Sequence, residues 1–269
     1  MLVDSDKVRR LLVEVAESEV MPRFEKLESG DVSEKSPGDI VTVADVASEQ
    51  RLTAALRDLL PGSLVVGEEA VAADPAVLAL LDGEDPVWVV DPIDGTANFA
   101  SGIPMFAIMV ALIRRGETLA GWIHDPVKRV TATAMAGEGA WCEGRRLRVA
   151  SGSAPGSMSG TLKMRFGNRR LARRLGGRTN LLGSVFDFRC AGHEYLALSS
   201  GKAHFALYNR LYPWDHAPGQ LIHREAGGFS ARLDGSAYTP RETGGGLLLT
   251  PDAASWQTLH DILVGKEAG

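Results

Sequence analysis

Val87-Trp88-Val89-Val90-Asp91-Pro92-Ile93-Asp94-Gly95-Thr96 is the most informative stretch of this sequence. Its first four residues form a short apolar run, which is typical of a strand buried on both faces of a sheet. The strand should end at Asp91, and Pro92 favours a turn directly after it. Because Asp94 follows only three residues after Asp91, the turn can bring both carboxylates to one point. The stretch therefore predicts a buried strand that delivers a carboxylate pair to the edge of a sheet.

A cation site and an anion site are predicted side by side here. Two convergent carboxylates repel each other and are costly to bury unless a cation or a shared proton neutralises them. Gly95 permits close approach of a ligand, and Thr96 should open a short helix through Ala97-Asn98-Phe99. The N-terminus of a helix offers unpaired N–H groups and a partial positive charge, which hold a phosphate without a lysine. The alternative is a tight turn in which Asp94 caps the helix and Asp91 makes local hydrogen bonds.

Two further acidic sites help to decide between a cation site and a turn in which Asp94 caps the helix. Glu68-Glu69 follow a predicted strand, Leu64-Val65-Val66, and Gly67, whereas Asp215 precedes a predicted apolar helix over 217–226. Taken alone, Asp215 is equally well explained as a helix N-cap. None of the three acidic sites has an adjacent Lys or Arg in the sequence. Because Mg²⁺ prefers a few carboxylates plus waters and phosphate oxygens, the three sites together favour hard-cation binding.

The rest of the chain predicts layers of helices and strands. A first helix should follow Ser5 and end or kink at Pro22, and a second should run from Asp45 to Leu59. The later predicted strands are 106–113, 118–124, 129–135, 186–188, 203–207 and 247–250, and the later helices are 194–198, 217–226 and one that starts at Pro251. The Gly/Ser/Pro stretch 151–160 predicts a junction between two closely packed halves, 1–150 and 151–269. These elements favour a layered sandwich of the α/β or α+β class.

Composition narrows the possible functions. The 269 residues are 45% hydrophobic and 23% charged, which is typical of a protein with a large core, and the net charge is −5. A mildly acidic protein has no general attraction for nucleic acid or for anionic membranes, so we expect neither as a partner. No apolar run approaches the roughly 20 residues of a membrane helix, and residues 1–7 do not resemble a secretory signal. Because Cys142 and Cys190 are the only thiols, we expect a cytoplasmic protein with reduced cysteines.

One segment departs from the acidic average. Lys163 to Arg178 contains seven basic residues and no acid. A nucleic-acid patch would carry more aromatic side chains than the single Phe166, so a solvated helix face is favoured for this charge run. The sequence has neither a G-x-x-x-x-G-K-[ST] loop nor a G-x-G-x-x-G after a strand, which argues against nucleotide-cleaving and dinucleotide-binding folds.

Five short elements follow one another in an order that is specific to one family. They are Lys35-Ser36-Pro37-Gly38-Asp39 with Val41-Thr42 and Asp45, Gly67-Glu68-Glu69, Asp91-Pro92-Ile93-Asp94-Gly95-Thr96 with Asn98-Phe99, Trp214-Asp215-His216-Ala217-Pro218-Gly219, and Glu225-Ala226-Gly227-Gly228. Over positions 35–228 the chain thus resembles the inositol monophosphatase family, a group of Mg²⁺-dependent, lithium-sensitive phosphatases. The resemblance implies an alternating αβαβα sandwich, usually a homodimer, that hydrolyses a small phosphorylated metabolite.

The resemblance also implies a set of metal ligands. Glu68, Asp91 and the carbonyl of Ile93 would hold one Mg²⁺. Asp91, Asp94 and Asp215 would hold a second, with Asp91 as the bridge between the two ions. A third, more weakly held Mg²⁺ would lie near Glu68.

Three residues are implied to be catalytic, namely Thr96, Asp45 and Glu68. Thr96, hydrogen-bonded to Asp45, would orient the attacking water, and the N–H groups of Gly95 and Thr96 would bind the phosphate. The expected activity is a phosphomonoesterase that uses metal-activated water and forms no phosphoenzyme. A non-catalytic phosphate-binding module is the alternative of a different class, and loss of a metal carboxylate would mark it. All four metal carboxylates, Glu68, Asp91, Asp94 and Asp215, are present in the sequence.

The substrate-selecting part of the chain departs from the family pattern. Inositol-specific members usually carry an acidic residue shortly before the W-D element, whereas 206–211 contains none. Arg210 and His193 are the candidates for substrate contact, although an exposed, salt-bridging arginine explains Arg210 equally well. The expected substrate is an inositol monophosphate or another polyol or sugar phosphate, with histidinol phosphate as the alternative.

Overall fold

The computed structural model describes residues 3–36, 38–163, 169, 173, 175 and 177–265. Its α-helices include α1 (Ser5–Val15), α2 (Val43–Leu59), α3 (Glu68–Ala73), α4 (Thr96–Ala100), α5 (Ala191–Ser199), α6 (Pro213–Glu225) and α7 (Ala253–Leu263), and a π-helix over Ala16–Val20 and 3₁₀ helices such as Pro75–Asp82 add further helical turns. The strands are β1 (Val32–Ser36), β2 (Asp39–Thr42), β3 (Leu64–Gly67), β4 (Val87–Asp94), β5 (Ala107–Arg114), β6 (Glu117–Asp125), β7 (Val130–Met135), β8 (Gly139–Cys142), β9 (Arg145–Arg146), β10 (Ser159–Leu162), β11 (Ser184–Phe186), β12 (Phe205–Tyr208), β13 (Phe229–Arg232) and β14 (Leu247–Thr250).

The larger sheet has the strand order β3-β4-β5-β6-β7-β8-β9. β3 lies parallel to β4, and each later pair is antiparallel. The three strands predicted between Phe106 and Met135 are present as β5, β6 and β7, which confirms the predicted meander. Strand β4 is buried at every residue, as its apolar run predicted, but it continues to Asp94 instead of ending at Asp91.

The smaller sheet has the strand order β11-β10-β12-β14-β13. β10 runs parallel to β11 and β12, and β14 runs antiparallel to β12 and β13. The strand predicted at 186–188 was wrong by two residues, since β11 ends at Phe186. The chain leaves the sheet there because the Phe188 carbonyl accepts a hydrogen bond from Asn98, and Arg189 adopts a left-handed backbone with a φ of 53°.

The elements stack in five layers, which confirms the αβαβα sandwich. Helices α1 and α2 cover one face of the larger sheet, α5 and α6 lie between the two sheets, and α7 covers the far face of the smaller sheet. Strand β14 shows how its side chains divide between layers. Leu248 packs toward α7, whereas its neighbours Leu247 and Leu249 pack toward α6, because successive side chains of a strand point to opposite faces.

Two helices begin earlier than the sequence pattern predicted. Helix α2 starts at Val43 because Thr42 and Asp45 form a capping box, in which the Thr42 hydroxyl accepts from the Ala44 N–H and Asp45 accepts from the Thr42 N–H. Helix α6 starts at Pro213, a residue that fits the first turn of a helix because its missing N–H would be unpaired there in any case.

The described residues bear on some of the expectations drawn from composition, namely those about membrane helices and cysteines, and on little of the basic segment. Among the described residues, no helix is long and apolar enough to cross a membrane. Cys142 and Cys190 are both free thiols, and Cys190 is buried. Most of the basic segment that was predicted to be a solvated helix face, residues 164–168, 170–172, 174 and 176, lies outside the described residues.

Candidate functional site

A cavity of about 360 Å³ opens where β4 ends. It is lined from two parts of the chain. The first part contributes residues 38–40, Glu68, Asp91 and 93–97. The second contributes Lys163, Asp187, 189–191, Tyr208, Arg210, Asp215 and His216.

Three carboxylates meet in this cavity. Asp91, Asp94 and Asp215 each offer an oxygen that lies within 4.8 Å of the other two. Asp91 is 1% exposed, and among the described residues its Oδ1 has no hydrogen-bond partner. Burial first, and the Glu68, Asp94 and Asp215 carboxylates next, raise the pKa of Asp91 well above its usual range. A crowded set of carboxylate oxygens with a buried, unpaired member has the chemistry that a hard cation prefers in its ligands.

A bulge in β4 explains how Asp91 and Asp94 reach the same point. Residues three apart on a regular strand point to opposite faces. Here Asp91 pairs with Met109 and Asp94 pairs with Ala107, so β4 spends one more residue than β5 over this interval. The extra residue brings both carboxylates to one face, and Pro92 fits such a bulge because it has no N–H to pair.

Asp94 does not cap the helix that follows it, which excludes the turn-and-cap alternative for this residue. The N-cap of α4 is Gly95, with a φ of 88° and no side-chain cap. The Asp94 carboxylate instead accepts from the N–H groups of Ala191 at 3.1 Å and Gly192 at 2.5 Å. It also lies 3.0 Å from the Cys190 thiol sulfur. Asp94 therefore holds the N-terminus of α5, 97 residues further along the chain.

Asp215 is not an N-cap either. The N-cap of α6 is Tyr212, and Asp215 lies in the first helical turn. Trp214, which is 4% exposed, packs into an apolar cluster with Val89 of β4. Because Trp214 anchors the start of α6 against the larger sheet, the neighbouring Asp215 reaches the carboxylates at the end of β4.

Glu68 lines the same cavity, but it lies outside the group of three and has a partner that the sequence did not reveal. Lys35 on β1 donates to Glu68 Oε1 at 2.7 Å and to Glu69 Oε1 at 3.0 Å. Burial alone would lower the pKa of Lys35, but these two carboxylates outweigh it and raise the pKa above its usual value. No Lys or Arg is adjacent to Glu68 in the sequence, but the fold places Lys35 in contact with it.

Thr96 and Asp45 lie in contact. The Thr96 hydroxyl is 3.1 Å from Asp45 Oδ1 and 2.9 Å from the Ile93 carbonyl oxygen, so both acceptors compete for its single proton. The other Asp45 oxygen accepts from the N–H and hydroxyl groups of Thr42. Burial, opposed by these Thr42 hydrogen bonds, raises the pKa of Asp45 to about 7.

Glu49 was not mentioned among the residues singled out from the sequence, and Asn98 was named only as part of a motif, so that its supporting role was missed. Glu49 accepts from the N–H groups of Glu69 and Ala70 at 2.8 Å and so fixes the start of α3. A Cβ at Gly67 would lie 2.2 Å from the Glu49 side chain, which explains the glycine before Glu68-Glu69. Asn98 donates to the carbonyls of Met105 and Phe188, both at 2.8 Å, and so ties α4 to the loop before α5. The buried polar side chain in an apolar helical turn was the available signal for Asn98.

The two candidates for substrate contact differ in position. Arg210 lines the cavity, and its guanidinium carbon lies 4.4 Å from the centre of the Tyr212 ring. His193 does not line it, and its predicted role in substrate binding is corrected. Its Nε2 lies 3.2 Å from the Phe106 carbonyl oxygen and 3.5 Å from Asp125 Oδ2, because the α5 turn directs the ring toward the larger sheet.

Known proteins resemble the chain in sequence over most of its length. The inositol monophosphatase family matches residues 4–263. The Nus factor SuhB of Pseudomonas aeruginosa is 36% identical over 219 residues, which is 79% of each chain. The inositol-1-monophosphatase of Mesorhizobium japonicum is 35% identical over 218 residues, again 79% of each chain.

Solved structures resemble the chain in fold. The extragenic suppressor protein suhB of Bartonella henselae has a TM-score of 0.82 at 25% identity, with 97% of this chain and 100% of that chain covered. The IMPase of Thermotoga maritima has a TM-score of 0.79 at 24% identity, with 96% and 95% covered.

Proposed function

This chain belongs to the inositol monophosphatase family, and from that premise we propose that it is a Mg²⁺-dependent phosphomonoesterase acting on a small phosphorylated metabolite. One observation carries the proposal. Three carboxylates, those of the buried Asp91 and Asp94 and of the half-buried Asp215, converge within 4.8 Å in a cavity. Such a cluster is energetically unfavourable without a neutralising cation. A metal-dependent phosphatase would use that cation in catalysis.

The carboxylate oxygens fit a hard divalent ion. The ion would be held by Asp91, Asp94 and Asp215, with Glu68 beside them. Among the described residues, Asp91 Oδ1 has no hydrogen-bond partner and so can serve as a metal ligand. The Ile93 carbonyl accepts from Thr96 and keeps a second lone pair for the ion. When bound, Mg²⁺ supplies Lewis acidity to the phosphoryl group and to the attacking water.

The protein's own groups orient the reactants. The proton of the Thr96 hydroxyl is directed to Asp45 or to the Ile93 carbonyl, so a lone pair of its oxygen remains to accept a hydrogen bond from the attacking water and orient it. Asp45, with a pKa of about 7, can hold a proton near neutral pH. Gly95 and Thr96 lie at the cavity, where their N–H groups would bind the phosphoryl oxygens.

Among the relatives, some are named Nus factor SuhB and one is named inositol-1-monophosphatase. We propose the hydrolytic role for this chain because Glu68, Asp91, Asp94 and Asp215, the four carboxylates expected to bind metal, line one cavity. A cavity of about 360 Å³ is suited to a small metabolite such as a polyol or sugar phosphate.

Phosphate release from a panel of phosphomonoesters tests the proposal. The panel contains inositol, histidinol, glycerol and nucleoside monophosphates, each assayed with Mg²⁺ and with a chelator. We expect Mg²⁺-dependent release from at least one small polyol phosphate, and faster release from histidinol phosphate would assign that substrate instead. No Mg²⁺-dependent release from any member would refute the hydrolytic role and leave a phosphate-binding module.

The proposal includes three further expectations about the protein in the cell. We propose a cytoplasmic homodimer that has no nucleic-acid partner, and the net charge of −5 supports the last point. Light scattering on a sizing column tests the dimer, and a mobility-shift assay with RNA at physiological salt tests the absence of nucleic-acid binding. A shift of the RNA band at low micromolar protein would overturn the expectation that the protein does not bind nucleic acid.

A further inference from the structure

The side of the cavity formed by residues 163–216 is close to neutral in charge. Its described lining residues include the cations Lys163, Arg189 and Arg210 and the acids Asp187 and Asp215. Glu194, which pairs with Lys163 from behind, balances the remaining positive charge when all six groups are ionised. A side without net charge has no general preference for an anionic leaving group.

The two acids that line this side have different surroundings. Burial raises the pKa of Asp215, and the nearby Arg210 partly offsets this rise, so these two charges interact. Asp215 also belongs to the carboxylate cluster, which we propose binds metal. Among the described lining residues of this side, Asp187 is therefore the carboxylate that remains for the rest of a substrate.

Asp187 is held through one of its two carboxylate oxygens. Its Oδ1 accepts from the Lys163 ammonium and, at 2.8 Å, from the Arg189 N–H. Among the described residues, Oδ2 takes part in no hydrogen bond or ion pair, and the side chain is 49% exposed. A carboxylate that is fixed in this way presents its second oxygen to a ligand as an acceptor.

Lys163 keeps Asp187 ionised and in place. Its ammonium also donates to Glu194 Oε1 at 2.6 Å, and Glu194 is 1% exposed, so the ammonium itself is anchored from the protein interior. Burial would raise the pKa of Asp187, but its contacts with Lys163 outweigh burial and lower the pKa below its usual value. Asp187 is therefore an acceptor near neutral pH and has no proton to donate.

Tyr208 adds a second polar group to the same cavity. It is 2% exposed, and its hydroxyl has no hydrogen-bond partner among the described residues. Burial raises the pKa of Tyr208 well above its usual value, so the hydroxyl keeps its proton. A buried hydroxyl without a partner is costly, and an alcohol can complete it because an alcohol both donates and accepts.

We propose that Asp187 binds a hydroxyl group of the leaving alcohol through Oδ2, with Tyr208 as a second contact, and so selects neutral polyol phosphates. The leaving alcohol of a phosphate held at Gly95 and Thr96 would meet Asp187, because all three residues line one cavity. This inference rests on the proposed phosphatase function and names the residue that recognises the substrate. It gives a polyol an acceptor although residues 206–211 contain no acid.

Four phosphomonoesters with a three-carbon chain test the proposal. Glycerol 1-phosphate has two hydroxyl groups, 1,2-propanediol 1-phosphate and 1,3-propanediol 1-phosphate each have one, and propyl phosphate has none. We expect kcat/KM for glycerol 1-phosphate to exceed that for propyl phosphate by at least about tenfold, as a hydrogen bond to a charged group provides. The monohydroxy compound that keeps the higher rate shows which hydroxyl Asp187 binds. Equal rates for all four compounds would overturn the proposal.

Variants of Asp187 separate this contact from the intrinsic reactivity of the esters, which is the same for every variant. Asp187→Ala should lower kcat/KM for glycerol 1-phosphate by about tenfold, chiefly through KM, and leave propyl phosphate within about twofold. Asp187→Asn should keep part of the preference, and Tyr208→Phe should reduce it by about threefold. An equal loss for glycerol 1-phosphate and propyl phosphate in Asp187→Ala would show that Asp187 only supports the site and would overturn the proposal.

The matched control is Asp261→Ala. Asp261 is an acid on α7, beyond the smaller sheet, and its side chain is 65% exposed. We expect this variant to keep the wild-type rates for all four compounds. Melting curves of each variant show whether it is folded.

Failure of the proposed phosphatase function gives a different result. If no compound is hydrolysed with Mg²⁺, calorimetric titration with glycerol 1-phosphate and propyl phosphate in Ca²⁺ still compares their affinities. Tighter binding of glycerol 1-phosphate that is lost in Asp187→Ala supports the hydroxyl contact. Equal affinities, or no binding of either compound, would overturn it.

Discussion

The two sides of the cavity have opposite charge. Among the described lining residues, the side that comes from the first 150 residues carries four acids and no base, namely Asp39, Glu68, Asp91 and Asp94. The side from the later part carries Lys163, Arg189 and Arg210 together with Asp187 and Asp215. We propose that the first side holds a cation and the reacting phosphoryl group, and that the second side faces the rest of the substrate.

The two sides also differ in how the chain builds them. On the first side, one strand, one bulge and one short helix supply Asp91, Asp94 and Thr96 within six consecutive residues, and two further segments add 38–40 and Glu68. The later side gathers its residues from four segments around Lys163, Asp187, Tyr208 and Asp215. A contiguous motif keeps reacting groups in register, whereas scattered positions can change one at a time. Substrate choice should therefore vary more easily than the chemistry.

The largest expected effect comes from Asp91→Asn on the acidic side. It should lower kcat/KM by about 10³-fold, because it removes the carboxylate shared by the proposed metal sites. In a chelator it should melt no lower than the wild type, since it relieves the repulsion around an unpaired buried oxygen. Mg²⁺ at a hundred times its Kd should raise the wild-type Tm by about 5–10 °C and the variant's by much less.

Phosphate release and melting curves with and without Mg²⁺ measure this difference. Asp82→Asn is the control, because the Asp82 side chain is 71% exposed in a surface ion pair with Arg241. Near-normal turnover of Asp91→Asn would remove the basis for the carboxylate cluster as the reacting centre.

An intermediate effect is expected from Thr96→Val, which keeps the shape of the side chain and removes the hydroxyl. It should lower kcat by about 10²-fold, the smaller end of what a positioned group in general acid–base catalysis contributes, and change KM little. Thr96→Ser should restore most of the rate, because it restores the hydroxyl between Asp45 and the Ile93 carbonyl. Equal rates for the valine and serine variants would rule out a role for the hydroxyl.

The smallest effect on turnover, and a clear one on stability, is expected from Lys163→Met on the basic side. It leaves Glu194 buried without its cation, which should cost about 3 kcal/mol near pH 8. Burial raises the pKa of Glu194 to about 7 from 4.5 even with Lys163 present. Because the folded state then binds this proton more tightly than the unfolded state, stability falls as pH rises from 4.5 to 7.

Without Lys163 the pKa of Glu194 rises further, so the fall in stability should extend beyond pH 7. The gap in Tm between Lys163→Met and the wild type should widen from pH 5.5 to pH 8.5, and the additional change Glu194→Gln should close most of the widening. Melting curves across this range measure it. A gap that does not change with pH would show that Lys163 acts through packing and not through its charge.

The predictable parts of the site are those that depend on residues close together in the sequence. The buried strand Val87–Val90 and the carboxylates after it followed from local periodicity and from the repulsion of close charges. The hydrogen bond between Thr96 and Asp45, which the family resemblance implied, is present at 3.1 Å. The continuation of β4 to Asp94 was not predictable, because the bulge exists only in relation to the register of β5.

The sequence by itself therefore determined the layered fold, the family and the acidic motif, since backbone preference and side-chain periodicity act over a few residues. Only the tertiary structure decided which groups meet. It paired Lys35 with Glu68 across 33 positions, set Asp94 on the N-terminus of α5, and turned His193 away from the cavity while Arg210 stayed at it. Such contacts join residues far apart in the chain. They depend on how two sheets and the helices between them pack, which no local pattern records.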